Sequence, residues 1–169
     1  TKLKASIGTA FKAPVLYQLY GQIPAFGFSG NPDLKPEQSV GFDIGFEQGL
    51  FDNKVRFGST FFRNDIRNLI DFDLTFSTLI NVDKVRTWGT ESFIAVQPFS
   101  WLTARLDHTW TRTEDRNTGL ELQRRPRHKV SGSIDVTPIE KLTLGLSVTW
   151  NDDRTDFLPS FATGTNPSY

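Results

Sequence analysis

Residues 141–151 read Lys-Leu-Thr-Leu-Gly-Leu-Ser-Val-Thr-Trp-Asn, a strict alternation of apolar with polar or small side chains. Leu142, Leu144, Leu146, Val148 and Trp150 share one parity, and Thr143, Gly145, Ser147, Thr149 and Asn151 share the other. Successive side chains of a strand point to opposite faces, so the segment has one apolar wall and one wet wall. A helix cannot sort a period of two. The same rhythm predicts strands at 1–12, 37–48, 54–64, 79–97, 100–113, 127–137 and 141–151, with 67–76 extending the third beyond a break.

Composition narrows the setting of those strands. The formal net charge is zero, which leaves no bulk electrostatic footprint for nucleic acid. The absence of cysteine removes disulfides, thiolate metal sites and cysteine nucleophiles together. Phe is abundant at 15 of 169 residues, yet no apolar run can serve as a spanning helix. Such a helix needs about 20 residues, so any membrane role rests on strands. The chain opens on Thr1-Lys2-Leu3-Lys4-Ala5, already alternating and without a signal peptide, and Thr1 is expected to lie inside a longer protein.

Connections alternate in length. Gly49 to Asn53, Pro98–Phe99 and Pro138 to Glu140 read as tight turns, while 13–36, 65–78, 114–126 and 152–168 read as long loops. Short turns at one end and long loops at the other are the habit of outer-membrane barrels. Charge agrees, because Lys, Arg, Asp and Glu in the central stretches of the four cleanest strands keep to the polar parity. His108 is the titratable exception on the apolar side, near the outer end. Trp88, Trp110 and Trp150 each stand ten residues from a predicted turn on the apolar parity. Ten tilted strand residues rise about 25 Å, the height of the lipid band, so these three are expected to form a membrane-interface girdle. Trp101 lies beside a turn on the polar parity and fits an inner girdle only loosely.

Specific wording adds a family. Gly8-Thr9-Ala10-Phe11-Lys12-Ala13-Pro14-Val15-Leu16-Tyr17-Gln18-Leu19-Tyr20-Gly21, followed by Gly30-Asn31-Pro32-Asp33-Leu34-Lys35-Pro36-Glu37, resembles the barrel signature of TonB-dependent outer-membrane receptors. Phe62-Arg63-Asn64-Asp65-Ile66-Arg67-Asn68-Leu69-Ile70-Asp71, Gly89-Thr90-Glu91 and Leu122-Gln123-Arg124-Arg125-Pro126-Arg127-His128 resemble its later phrases in order. Within the family the cobalamin-receptor branch looks nearest, although siderophore receptors share much of the wording. The residues also have structural readings of their own. Pro14 and Pro36 mark where pairing stops and resumes, Asn31-Pro32-Asp33 is turn chemistry, and Glu37 opens a strand on the lumen parity.

The resemblance implies an all-β, antiparallel transmembrane barrel, 22-stranded, of which residues 1–169 supply about seven strands near its carboxyl end. The plug domain and last strands would lie outside the chain. It further implies a receptor, not an enzyme, that takes up cobalamin or a ferric siderophore actively. Its partners would be the TonB complex, acting through the plug, together with outer-membrane lipid and lipopolysaccharide. No cofactor is implied. A passive porin-like channel and a soluble β-rich binding domain are the competing readings.

Ligand contact in such a receptor is expected from extracellular loops. Tyr17, Tyr20, Phe26 and Phe28 form an aromatic cluster suited to stacking on a planar ligand, or else to packing the loop itself. Arg124 and Arg125 offer guanidinium forks for a phosphate or carboxylate, or else a solvated or lipopolysaccharide-facing pair. Asp71, Asp73 and Asp83 lack the dense oxygen spacing of a calcium loop, so no metal site is expected. His108 and His128 stand on different strands without a serine motif or zinc pattern, which leaves catalysis unsupported.

Overall fold

The computed structural model describes residues 1–73, 75–122, 125–157 and 163–166. In chain order come β1 (Lys2–Lys12), α1 (Leu16–Tyr20), β2 (Gln22–Ile23), a single 3-10 turn (Pro24–Phe26) and β3 (Phe28–Ser29). Then follow β4 (Glu37–Leu50), β5 (Val55–Phe72), β6 (Leu79–Phe99), β7 (Leu102–Asp115), β8 (His128–Ile139) and β9 (Leu142–Asn151). A small hairpin of β10 (Arg154–Phe157) and β11 (Thr163–Asn166) comes last. Seven strands make one antiparallel meander in the order β1-β4-β5-β6-β7-β8-β9, which matches the seven expected. No described helix is long and apolar enough to cross a membrane.

The two faces are sorted by register. Ile7, Phe42, Ile44, Phe61, Ile94, Leu106, Ile134 and Leu146 fall on one face, and Lys4, Asp43, Glu47, Arg56, Arg105 and Asp107 on the other. Along β4 the apolar residues are the exposed ones and the polar residues are half-buried. Ile44 is 59% and Leu146 67% exposed. That is the reverse of a water-soluble sheet, which hides its apolar face. The polar face instead carries its own pairing. Glu47 accepts Lys4 at 2.7 Å and also pairs with Arg56, Ser6 bonds Asp43, and Arg105 lies 4.5 Å from the Phe93 ring centre.

Three local features differ from the sequence expectation. Residues 65–78 are mostly strand, because β5 runs to Phe72 and β6 starts at Leu79, leaving a six-residue tip at 73–78. The stretch 13–36 is structured, holding α1, the β2–β3 pair and a 3-10 turn. Pro98 and Pro138 do not form the turns but stand inside register shifts between Val96 and Phe99 and between Val136 and Ile139. Proline has no N–H to give a ladder, so it settles where a bulge already interrupts pairing. The bulge also reassigns Trp101, which stacks on Phe99 at 5.3 Å and 2°, and Phe99 pairs with Leu102 on the apolar face.

Candidate functional site

The small buried core sits at the loop end of the sheet, not between layers. Phe28, Leu34 and Leu79 form it, with Leu19, Ile23 and Ile70 packed against them. These residues join the 13–36 segment to the tip of the β5–β6 hairpin. The helix has no buried residue and contributes the partly buried Leu19 to this core, a tertiary anchor for five residues that do not hold a helix alone. Gly30 allows the close approach: a Cβ there would meet the Leu19 carbonyl and the Tyr20 nitrogen at 2.8 Å.

Hydrogen bonds fasten the same two segments. Asn81 accepts the Lys35 N–H at 2.8 Å and donates through Nδ2 to the carbonyls of Lys35 and Asn68, at 2.9 and 2.8 Å. Asn31 donates to the Leu79 carbonyl at 2.9 Å, and its Oδ1 takes the Asp33 N–H at 2.9 Å, the expected turn. Ser29 donates its N–H to Ser77 O at 2.9 Å. Glu37 Oε1 receives both the Lys12 ammonium at 3.0 Å and the Ile70 N–H at 3.2 Å. Sequence reasoning missed Asn81, because nothing in its neighbourhood signals a partner 46 residues away.

At the hairpin tip, Asp73 collects the N–H groups of Ser77 and Thr78 and the hydroxyls of Thr75 and Ser77. Burial pushes its carboxyl upward, but these hydrogen bonds outweigh it and hold the group below the usual carboxylate range. Asp71 accepts its neighbour Phe72's N–H. Among the described residues no group of three or more potential metal ligands comes together. The side chain of Asp83 lies outside what is described.

The structure separates the four expected aromatic contacts. Phe28 is 5% exposed, with Tyr17 stacked on it at 5.5 Å and Phe72 tilted against it at 6.0 Å. Tyr17 is half-exposed, while Tyr20 at 65% and Phe26 at 82% stand clear of the core. The loop thus packs itself with one aromatic and presents the rest. Arg125 is exposed and has no ion-pair partner among the described residues, and Arg124 lies outside them.

Trp88, Trp110 and Trp150 lie on the apolar face along an inclined line. Trp150 shares a cross-strand row with Val130, His108 and Ser92, and Ser92 is four residues beyond Trp88 along β6. Four residues along for three strands across gives a slope of about 40° at ordinary strand spacings, the tilt of a membrane barrel strand. Between Trp110 and Trp150 lies a contact no sequence pattern announced. His108 Nε2 and His128 Nδ1 are 3.1 Å apart, with ring planes 10° from parallel.

Comparison with known proteins gives this geometry a family context. The TonB-dependent receptor-like β-barrel family model matches residues 1–169. The ferric enterobactin receptor of Pseudomonas aeruginosa is 30% identical over 178 residues, covering 88% of this chain and 24% of that receptor. A solved structure of a variant of the ferric enterobactin receptor from the same organism aligns at a TM-score of 0.73 and 25% identity, over 99% of this chain and 29% of that one. The siderophore receptor PirA from Pseudomonas aeruginosa aligns at 0.70 and 25% identity, over 90% of this chain and 29% of its own. The chain therefore spans about a quarter of the length of the curated relative it matches.

Proposed function

The chain belongs to the TonB-dependent receptor-like β-barrel family, and from that membership we propose that it is wall and loop of an outer-membrane receptor that imports a ferric siderophore. Residues 1–169 belong to one barrel domain, whose polar face lines a lumen filled by a plug from elsewhere in the protein. TonB, acting through that plug, supplies the energy. The family is one of receptors and transporters of the Gram-negative outer membrane, and the sheet described here is a transmembrane part of such a barrel.

The observation that carries the ligand reading is the clasped 13–36 loop, which buries Phe28 and holds Tyr20, Phe26 and the open edge of Tyr17 outward. Rigid aromatic rings offer large contact area at low entropy cost, and Arg125 adds a cation for the negative charge of an iron chelate. The named relatives favour a siderophore over cobalamin. On the apolar face, the outer membrane interface follows the line of Trp88, Trp110 and Trp150, and the stacked Phe99 and Trp101 mark the inner one.

Binding of ferric enterobactin and of cyanocobalamin to the full-length receptor decides between the ligands. The expected result is iron-chelate binding weakened at least tenfold by Tyr20→Ala with Phe26→Ala, and iron-limited growth that requires TonB. Cobalamin binding alone would replace the siderophore reading. Uptake independent of TonB would instead establish a passive channel.

A further inference from the structure

His108 and His128 meet in a way that ring-over-ring stacking does not produce. Their ring centres are 5.3 Å apart with planes 10° from parallel, while His108 Nε2 lies 3.1 Å from His128 Nδ1. The distance between centres is nearly the nitrogen separation plus the two ring radii. The rings therefore lie end to end in almost one plane, each with a nitrogen aimed along the line that joins them. One nitrogen donates its proton to the lone pair of the other, and the N–H···N bond is close to straight.

Ladder register builds this alignment. His108 pairs with Val130 and Trp110 with His128, so the histidines are diagonal neighbours on the apolar face, one on β7 and one on β8. An ionisable side chain on a face that meets lipid is costly and marks a functional site by default. Ser92, beside His108 across β6, has its hydroxyl engaged with Ser59 at 2.8 Å. Past Trp110 the same face carries Arg112, which pairs with Glu121 at 3.5 Å. Among the described residues no third potential metal ligand joins the two rings.

Two nitrogens opposed on one straight line are also what a linear, two-coordinate metal ion requires. First-row dications take four or more ligands, whereas the filled d shell of Cu⁺ or Ag⁺ is satisfied by two. An apolar surround and the nearby Arg112 guanidinium weigh less on a monocation than on a dication. At about 2 Å per metal–nitrogen bond the nitrogens stand about 4 Å apart, so each ring withdraws by about half an ångström through its side-chain torsions. We propose that His108 Nε2 and His128 Nδ1 form a linear site for one monovalent d10 ion, Cu⁺, with Ag⁺ as its redox-stable counterpart. The ion takes the place of the bridging proton. That proton moves to the outer nitrogen of its own ring, so two neutral imidazoles bind the ion and none is released. The bridge joins β7 to β8 at the foot of the 114–127 segment and does not depend on which ligand the receptor imports.

The test uses the full-length receptor without an affinity tag, in mild detergent and chloride-free buffer, titrated with Ag⁺ and counted by native mass spectrometry. Silver sites elsewhere in the receptor are common to every sample, so the difference between variants is what is read. The wild type should hold one Ag⁺ more than His108→Gln, than His128→Gln and than the double variant, because a bridged ion is lost with either ring. Zn²⁺ at the same concentration should show no such difference. Gel mobility before and after heating reports whether each variant is folded. Where a glutamine variant fails to fold, His108→Phe or His128→Phe keeps a ring and removes the nitrogens. Equal Ag⁺ counts in the wild type and the folded variants overturn the proposal. Loss in only one of the single variants overturns it too, as does a Zn²⁺ count that falls in the same variants.

Discussion

Replacing Phe28 with Ala should release the 13–36 loop from the hairpin tip while leaving the barrel wall intact. Phe28 is the most enclosed aromatic of the loop core, and its ring meets Tyr17 at 5.5 Å and Phe72 at 6.0 Å. Truncating a fully enclosed Phe costs about 3–5 kcal/mol. This cluster is small and open at its rim, which favours the lower end, and about 3 kcal/mol corresponds to a roughly 150-fold rise in the opening equilibrium. The assay is native-state hydrogen exchange on the full receptor, read at amides the fold protects. These are Leu19 on Val15 O, Gly30 on Gly21 O at 2.7 Å, Asn31 on Gln18 O at 2.9 Å and Ser29 on Ser77 O at 2.9 Å. All four should exchange about a hundredfold faster, with amides inside β4–β5 unchanged. Siderophore affinity should fall with them, since Tyr20 and Phe26 ride on the same loop. Exchange within threefold of wild type would refute the idea that this core holds the loop.

Asn81→Ala removes one acceptor and two donor bonds of the clasp, and should cost about 1–3 kcal/mol, read as faster proteolysis within 13–36. Unchanged cleavage would mean that packing alone suffices. The Asp73 carboxyl titrates below its ordinary 3.8, so its stabilisation of the tip is complete above that value and is lost as pH falls through the lowered one. Protection of the Ser77 and Thr78 amides, relative to their intrinsic exchange at each pH, should therefore fall as the pH drops below about 4, and Asp73→Asn should abolish that step. A tip whose exchange shows no such step in the wild type contradicts the assignment. Leu146→Arg should destabilise the receptor in liposomes by about 2–4 kcal/mol, with Ser147→Arg close to neutral, by equilibrium unfolding. Equal costs at the two positions would deny that they face different media.

Much of the wall could be read before the structure, because an alternating strand carries its two faces in its own sequence. β9 is the clearest case, and β4 and β8 follow it. β5 is less legible. Phe61 and Phe62 place a ring on each face, and cross-strand register is what assigns Phe61 outward beside Thr90 and Phe62 inward beside Gly89. The same strand carries Arg63 and Asp65 on the apolar parity, where Asp65 binds Arg63 at 2.7 Å and Arg86 at 2.8 Å. Parity alone reads that as an error. Arg63 stands in Trp88's own row and Asp65 one same-face row further toward the loops, opposite Arg86, so these ion pairs sit at the edge of the apolar band.

Loop structure was beyond the sequence for a different reason. Phe26 and Phe28 share parity and composition, yet one is exposed and the other buried, because only Phe28 meets Leu79 and Phe72 from the distant hairpin. Such contacts depend on long-range closure, which local periodicity does not encode. Pro98 and Pro138 did mark places where pairing falters, but a missing N–H is equally at home in a turn or a bulge. The histidine pair is of the same kind, since register between β7 and β8 brings the two rings together.

The central claim is that one face of this sheet meets lipid and the other a plugged lumen. These 169 residues contain no cysteine, so single cysteines placed from Leu142 to Asn151 in a full-length receptor with any cysteine elsewhere replaced by serine can each carry a spin label. Collision with lipid-soluble oxygen, measured by electron paramagnetic resonance in outer-membrane lipid, then reports each side chain's medium. The account predicts a period of two, with maxima at Leu144, Leu146 and Val148 and minima at Thr143, Gly145 and Ser147. A flat profile, or maxima at Thr143, Gly145 and Ser147, would contradict it.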